Sequence, residues 1–109
     1  MNLKDLEEII KKFTIERNWR KFHTPKNLAT SIAIETGELL EHFQWKDECE
    51  NKKDISFEMA DILAYLLLLA NKCEIDLEKA FLEKMKINEA KYPADIVRGS
   101  SKKYTQYED

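Results

Sequence analysis

Apolar positions recur at helical spacing along most of the chain. Leu3, Leu6, Ile9, Ile10 and Phe13 mark one face of a first helix over about 3–18. Residues 19–23 read as a linker. Thr24 then has the character of an N-cap, with Pro25 at the first helical position, and a second helix is expected over 25–45. Residues 46–53 are polar apart from Cys49 and read as a loop. Asp54 or Ser56 is expected to cap a third helix over 54–73. Asp76 is expected to cap a fourth over 76–92, with Ile75 and Ala80 as a weak hydrophobic staple. The fourth ends near Tyr92, because the residue before Pro93 disfavours helix. The pattern predicts an all-α four-helix bundle over residues 1–98 and a polar, flexible tail over 99–109. There is no internal repeat of solenoid type.

The third helix breaks the amphipathic rule. Residues 62–70 read Ile-Leu-Ala-Tyr-Leu-Leu-Leu-Leu-Ala, apolar on every side. Such a helix must be surrounded, and three partner helices from a short chain hardly cover it. A dimer or higher oligomer built on this helix is therefore expected, the alternative being the central helix of a monomer.

Composition narrows the function. The chain has 109 residues and contains only Gly37, Gly99, Pro25 and Pro93 as breakers, which favours long helices over a turn-rich β-fold. A net charge of −3 lacks the basic field of a binder of polymeric nucleic acid. The nine-residue apolar run falls well short of the roughly 20 residues of a membrane span. Cys49 and Cys73 lack paired metal-ligand spacing, and the N-terminus is not signal-like, so both read as reduced thiols in a cytoplasmic protein.

The candidate chemistry lies in carboxylates. Ser31, Glu35, Glu38, His42 and Trp45 fall on one stripe of the second helix, and Glu58, Asp61 and Tyr65 on one stripe of the third. The fourth carries Phe81, Lys84, Asn88 and then Lys91 or Tyr92. Glu58 and Asp61 open a helix that has little outer face, since Phe57, Met59, Ile62 and Leu63 surround them. If the two pairs face one another, two charges about 6 Å apart repel by roughly 3 kcal/mol at an effective dielectric near 20. Cations must neutralise such a cluster. Oxygen-only ligands point to Mg²⁺, with Mn²⁺ as the alternative, rather than zinc. Di-iron bundles need Glu-x-x-His pairs. Here His42 follows Glu38 by four, and His23 has Arg20 three residues before it.

Glu35-Thr-Gly-Glu38 followed by Glu58-Met-Ala-Asp61 resembles the ExxE…ExxD signature of the MazG-like all-α nucleoside triphosphate pyrophosphohydrolases, most nearly their dCTP pyrophosphatase group. The resemblance extends through Trp19-Arg-Lys-Phe-His23-Thr-Pro-Lys-Asn27-Leu, Gly37-Glu-Leu-Leu-Glu-His-Phe-Gln-Trp45-Lys, Lys84-Met-Lys-Ile-Asn88-Glu-Ala-Lys-Tyr92-Pro and Arg98-Gly-Ser-Ser-Lys-Lys-Tyr104. It implies Mg²⁺-dependent cleavage between the α and β phosphates, in an oligomer with sites formed between subunits. It implies Glu35, Glu38, Glu58 and Asp61 as metal ligands. Trp19, His23, Trp45 and Tyr65 would line a nucleoside pocket, and Lys84, Asn88 and Tyr92 would contact the nucleotide, especially its phosphates. Glu38 and Glu41 are the candidates for general base. His42 is not part of the family pattern.

The physics suits this reading. Carboxylates alone would repel a triphosphate, so cations must bridge the two, while Lys84 and Lys91 offer further positive charge. The expected reaction converts dCTP or a modified dCTP to the monophosphate and pyrophosphate, cleansing the nucleotide pool. Two alternatives stand beside it. One is the same chemistry on another triphosphate such as dUTP. The other is a non-catalytic helical interaction module, in which the tryptophans are helix-end aromatics, His23 bonds locally and Lys84 and Asn88 form a wet face.

Overall fold

The computed structural model describes residues 1–99, and every regular element among them is helical. The order is α1 (Leu3–Glu16), a 3-10 turn (Arg20–Phe22), α2 (Pro25–Glu41), α3 (Lys52–Lys72), α4 (Leu77–Lys91) and α5 (Ala94–Val97). The chain divides into a compact unit Met1–Asp76 and a second one beginning at Leu77. The tail expected over 99–109 lies, beyond Gly99, outside the described residues.

Side-chain caps set the helix starts. Asn2 and Asp5 form a capping box: each side chain accepts from the other's backbone N–H at 3.0 Å. Thr24 accepts from the Asn27 N–H and Pro25 opens α2. For α3 the cap is Asn51, three residues before Asp54, and the helix starts at Lys52. Its Oδ1 accepts from the Asp54 N–H while its Nδ2 donates to the Asp54 carboxylate. Asp54 thus belongs to the first turn, and Ser56 spends its hydroxyl on the Lys53 carbonyl.

Two helices stop without glycine. Asn18 and Glu74 take left-handed backbone, with φ of 55° and 56°. At the end of α1, Trp19 N–H donates to the Thr14 carbonyl and Asn18 N–H to that of Ile15. At the end of α3, Ile75 N–H donates to Ala70 and Glu74 N–H to Asn71. Both are Schellman motifs, which close the last carbonyls of a helix. The second helix ends four residues short of the expected Trp45. After Glu41 the winding tightens to i→i−3 bonds, from His42 to Leu39, Phe43 to Leu40 and Gln44 to Glu41. That tightening carries Trp45 off the stripe.

In the first unit, α3 packs against both α1 and α2. The buried set is small: Leu28, Ile55, Leu67, Leu68 and Ala70, with Thr14 among them. Leu66 in the middle of α3 keeps 37% of its surface, and Phe57 and Met59 near its start are exposed. No helix among the described residues is long and apolar enough to cross a membrane. In the second unit α4 buries no residue fully, and Phe81 and Leu82 are exposed.

Candidate active site

The carboxylate centre is assembled from the facing stripes of α2 and α3. Glu35 and Glu38 sit three residues apart on α2, and Glu58 one turn before Asp61 on α3. Oxygens of Glu35, Glu38 and Glu58 all lie within 4.8 Å of one another. Glu35 Oε2 and Glu58 Oε2 are buried and accept no hydrogen bond from the protein. A buried carboxylate oxygen without a donor is costly, and three acceptor groups can supply one another with nothing unless one is protonated. Burial, then Glu38, Glu58 and Asp61 crowding around it, push the Glu35 carboxyl up to about 7. A divalent cation would satisfy both orphaned oxygens and return Glu35 to its charged form. The all-oxygen donor set fits a hard ion.

Next to this centre lies a cavity of about 200 Å³, lined by Ile10, Phe13 and Thr14 of α1, Trp19 and His23 of the turn region, and Asp61, Ala64, Tyr65 and Leu68 of α3. Pockets for drug-sized ligands run to roughly 300–1,000 Å³, so this one suits a single flat ring rather than a whole nucleotide. Asp61 belongs to it and to the carboxylate pattern, so the cavity opens beside the charged centre. Trp19 stands edge-on to Phe13, with ring centroids 5.7 Å apart, and remains 45% exposed. Burial, then the Lys72 and Arg20 charges, hold the His23 imidazole below its usual pKa. Its Nδ1 is buried without a protein partner.

The structure brings Trp19, His23 and Tyr65 to one cavity together with Asp61. It places Trp45 elsewhere. That ring is 85% exposed and borders a second cavity with Glu41, His42, Lys46, Glu50, Asn51 and Ile55, closed on one side by a Lys46–Glu50 ion pair at 2.7 Å. Glu41 is the last residue of α2, one turn beyond Glu38, and faces this second cavity rather than the Glu35–Glu38–Glu58 cluster. Lys84 and Asn88 lie on α4 and Tyr92 just after it, within the second unit. Ile10, Phe13 and Thr14 were missed by the sequence reading as cavity residues. Thr14 offered the one available signal, as a hydroxyl continuing the inward-facing series of Leu3, Leu6 and Ile10. It is buried and donates to the Lys11 carbonyl at 2.8 Å.

An all-helical fold with an E-x-x-E helix facing an E-x-x-D helix defines a class of metal-dependent helical proteins, and this chain belongs to the MazG-like family, whose model matches residues 30–107. It is 41% identical to human dCTP pyrophosphatase 1 and 40% identical to the bovine protein of that name, over 95% and 94% of the chain. It spans 66% of the length of each of these relatives. Among solved structures, a pyrophosphatase from Archaeoglobus fulgidus superposes with a TM-score of 0.77 at 44% identity, covering 83% of this chain and 91% of that one.

Proposed function

We propose that this chain is a nucleoside triphosphate pyrophosphohydrolase that uses Mg²⁺ and converts dCTP, or a modified dCTP, to the monophosphate and pyrophosphate. The observation that carries the proposal is the shared position of Asp61. It lines an aromatic cavity sized for one ring, and its charge acts on Glu35 of the Glu35–Glu38–Glu58 cluster, which has two orphaned buried oxygens. The names of the human and bovine relatives and of the archaeal structure support the reaction class.

In this reading Glu35, Glu38, Glu58 and Asp61 hold the cation. Bound Mg²⁺ supplies positive charge that draws in the triphosphate and stabilises the leaving pyrophosphate. The base enters the cavity between Trp19 and Tyr65, where apolar walls and flat faces favour a ring. His23, kept neutral, meets the polar edge of that base with Nδ1. With the base fixed there, the phosphates extend toward the carboxylates. Glu38 takes the proton of the attacking water. The water oxygen adds to phosphorus, the bond bridging the α and β phosphates breaks, and pyrophosphate departs. Lys84, Asn88 and Tyr92 are proposed to contact the nucleotide, and Trp45 to wall it.

Assembly into a homodimer or homotetramer is part of the proposal. It is supported by the incomplete cover of α3 and by Ile34, Leu40, Phe57 and Met59, all more than half exposed in the single chain. A cytoplasmic setting agrees with two free, exposed cysteines, Cys49 and Cys73. The test is to incubate the protein with each common NTP and dNTP plus Mg²⁺ and resolve the products. A monophosphate and pyrophosphate from dCTP above all others is the expected result. Preference for dUTP would reassign the base, and no product from any would leave a modified nucleotide as substrate or the interaction module.

A further inference from the structure

The segment that carries Trp19 and His23 is tied to the far end of α3 by a polar chain that the proposed chemistry does not use. Arg20, in the 3-10 turn, donates from Nη2 to Asn71 Oδ1 at 3.0 Å, across 51 residues of sequence. Asn71 donates from Nδ2 to Glu7 Oε1 of α1 at 3.1 Å, across 64 residues. One amide orientation serves both ends, because a guanidinium only donates and a carboxylate only accepts. Arg20, Asn71 and Glu7 are all half-buried, where such bonds are stronger than at a wet surface.

We propose that Glu7, Asn71 and Arg20 form a clasp that positions Trp19 and His23 over the nucleoside cavity, and so set the affinity for the substrate's base rather than the rate of cleavage. This rests on the nucleotide reading of the cavity. The turn has weak apolar anchorage of its own, since Trp19 and Phe22 are both exposed. Its other ties run to its own flanks: Trp19 N–H to the Thr14 carbonyl, and Asn27 Nδ2 to the Phe22 carbonyl. Those bonds fix the turn against α1 and α2 but not against α3, which supplies the opposite wall through Ala64, Tyr65 and Leu68. The clasp makes that third connection. Arg20 sits between the two cavity residues in sequence, so holding it limits the travel of both. Asn71 lies ten residues beyond Asp61, about 15 Å along the helix, so the clasp is well separated from the carboxylates.

The test compares the full-length protein with Asn71→Leu, and with the double variant Asn71→Asp plus Glu7→Gln. Leucine keeps the volume and removes both bonds. The double variant restores them with one link reversed, because the new carboxylate accepts from Arg20 and from the new Gln amide. For dCTP with Mg²⁺, Asn71→Leu is expected to raise KM about tenfold, the effect of one or two lost bonds, with kcat within about twofold. The double variant should recover KM. A second readout is independent of turnover. In a Trp45→Phe background, Trp19 emission should shift to the red and become more open to acrylamide quenching in Asn71→Leu, and return in the double variant. An unchanged KM, a fall confined to kcat, or a KM defect that the double variant does not recover would overturn the clasp. So would unchanged Trp19 quenching. If no nucleotide is turned over while quenching responds as expected, the nucleotide reading fails and the positioning of Trp19 stands.

Discussion

The carboxylate centre and the aromatic cavity meet at Asp61, yet they are built in opposite ways. The centre is a product of local spacing. Steps of three on α2 and on α3 put carboxylates on facing stripes, and the packing of those two helices does the rest. The cavity is a product of chain reversal. A Schellman stop at Asn18, a 3-10 turn and a polar tie across more than fifty residues bring Trp19 and His23 over α3. The first is crowded charge, relieved by a proton on Glu35 or by a cation. The second is apolar and half-open. In the proposed reaction, a site divided in this way would let the carboxylate end govern rate and the cavity end govern choice of base.

The sharpest way to break that division is to remove one carboxylate. Glu38→Ala or Asp61→Ala should lower dCTP turnover at least about a hundredfold, the loss of a principal electrostatic contributor, with the helical far-UV signal retained. Activity near that of the parent protein in either variant would take the centre out of the chemistry. At the cavity end, Trp19→Ala should raise KM by about tenfold, in the range for losing one stacked base, and leave kcat largely intact. Trp45→Ala is the companion measurement. An equal rise there would mean that the base also reaches the second cavity in the assembled protein, and an unchanged KM would return Trp45 to a surface role.

Metal linkage separates the two regions without turnover. Mg²⁺ at about a hundred times its dissociation constant stabilises the fold by about 2.7 kcal/mol, several degrees in Tm for a chain of this size. The shift should vanish in Glu58→Gln and survive in Trp19→Ala. A melting curve indifferent to millimolar Mg²⁺ would count against the centre.

A further expected effect is on pH. Glu35 has its pKa raised from 4.5 to about 7, so the folded state holds its proton more tightly than the unfolded chain does. Its contribution to stability is therefore largest at low pH and is lost as pH rises from 4.5 to about 7. Without metal, Glu35→Gln should gain stability relative to the parent protein across that window, and Mg²⁺ should narrow the difference by favouring the parent. A difference that does not vary with pH would mean that Glu35 is not crowded as described.

The same contrast explains what could be read from the chain in advance. Glu35, Glu38, Glu58 and Asp61 were legible because helix periodicity alone decides which of them share a stripe, and their apolar context marked the second pair. The helix content was legible for the same reason. The end of α2 was not, because tightening to i→i−3 bonds after Glu41 leaves no mark in hydrophobic spacing. Nor were the stops at Asn18 and Glu74, where left-handed residues other than glycine take over the role of the missing breakers. The clasp was out of reach because both of its bonds join residues more than fifty positions apart. Trp45 shows the cost of extending a periodic stripe past the point where the helix tightens: it borders the second cavity instead of the first.

The central claim is that these two regions act together on one nucleotide, and one product analysis tests it most directly. The protein is incubated with dCTP and Mg²⁺ and the products are resolved and quantified. The account predicts dCMP and pyrophosphate in equal amounts, with formation abolished by Asp61→Asn. Formation of dCDP and orthophosphate would contradict it, as would no cleavage of either dCTP or a modified dCTP.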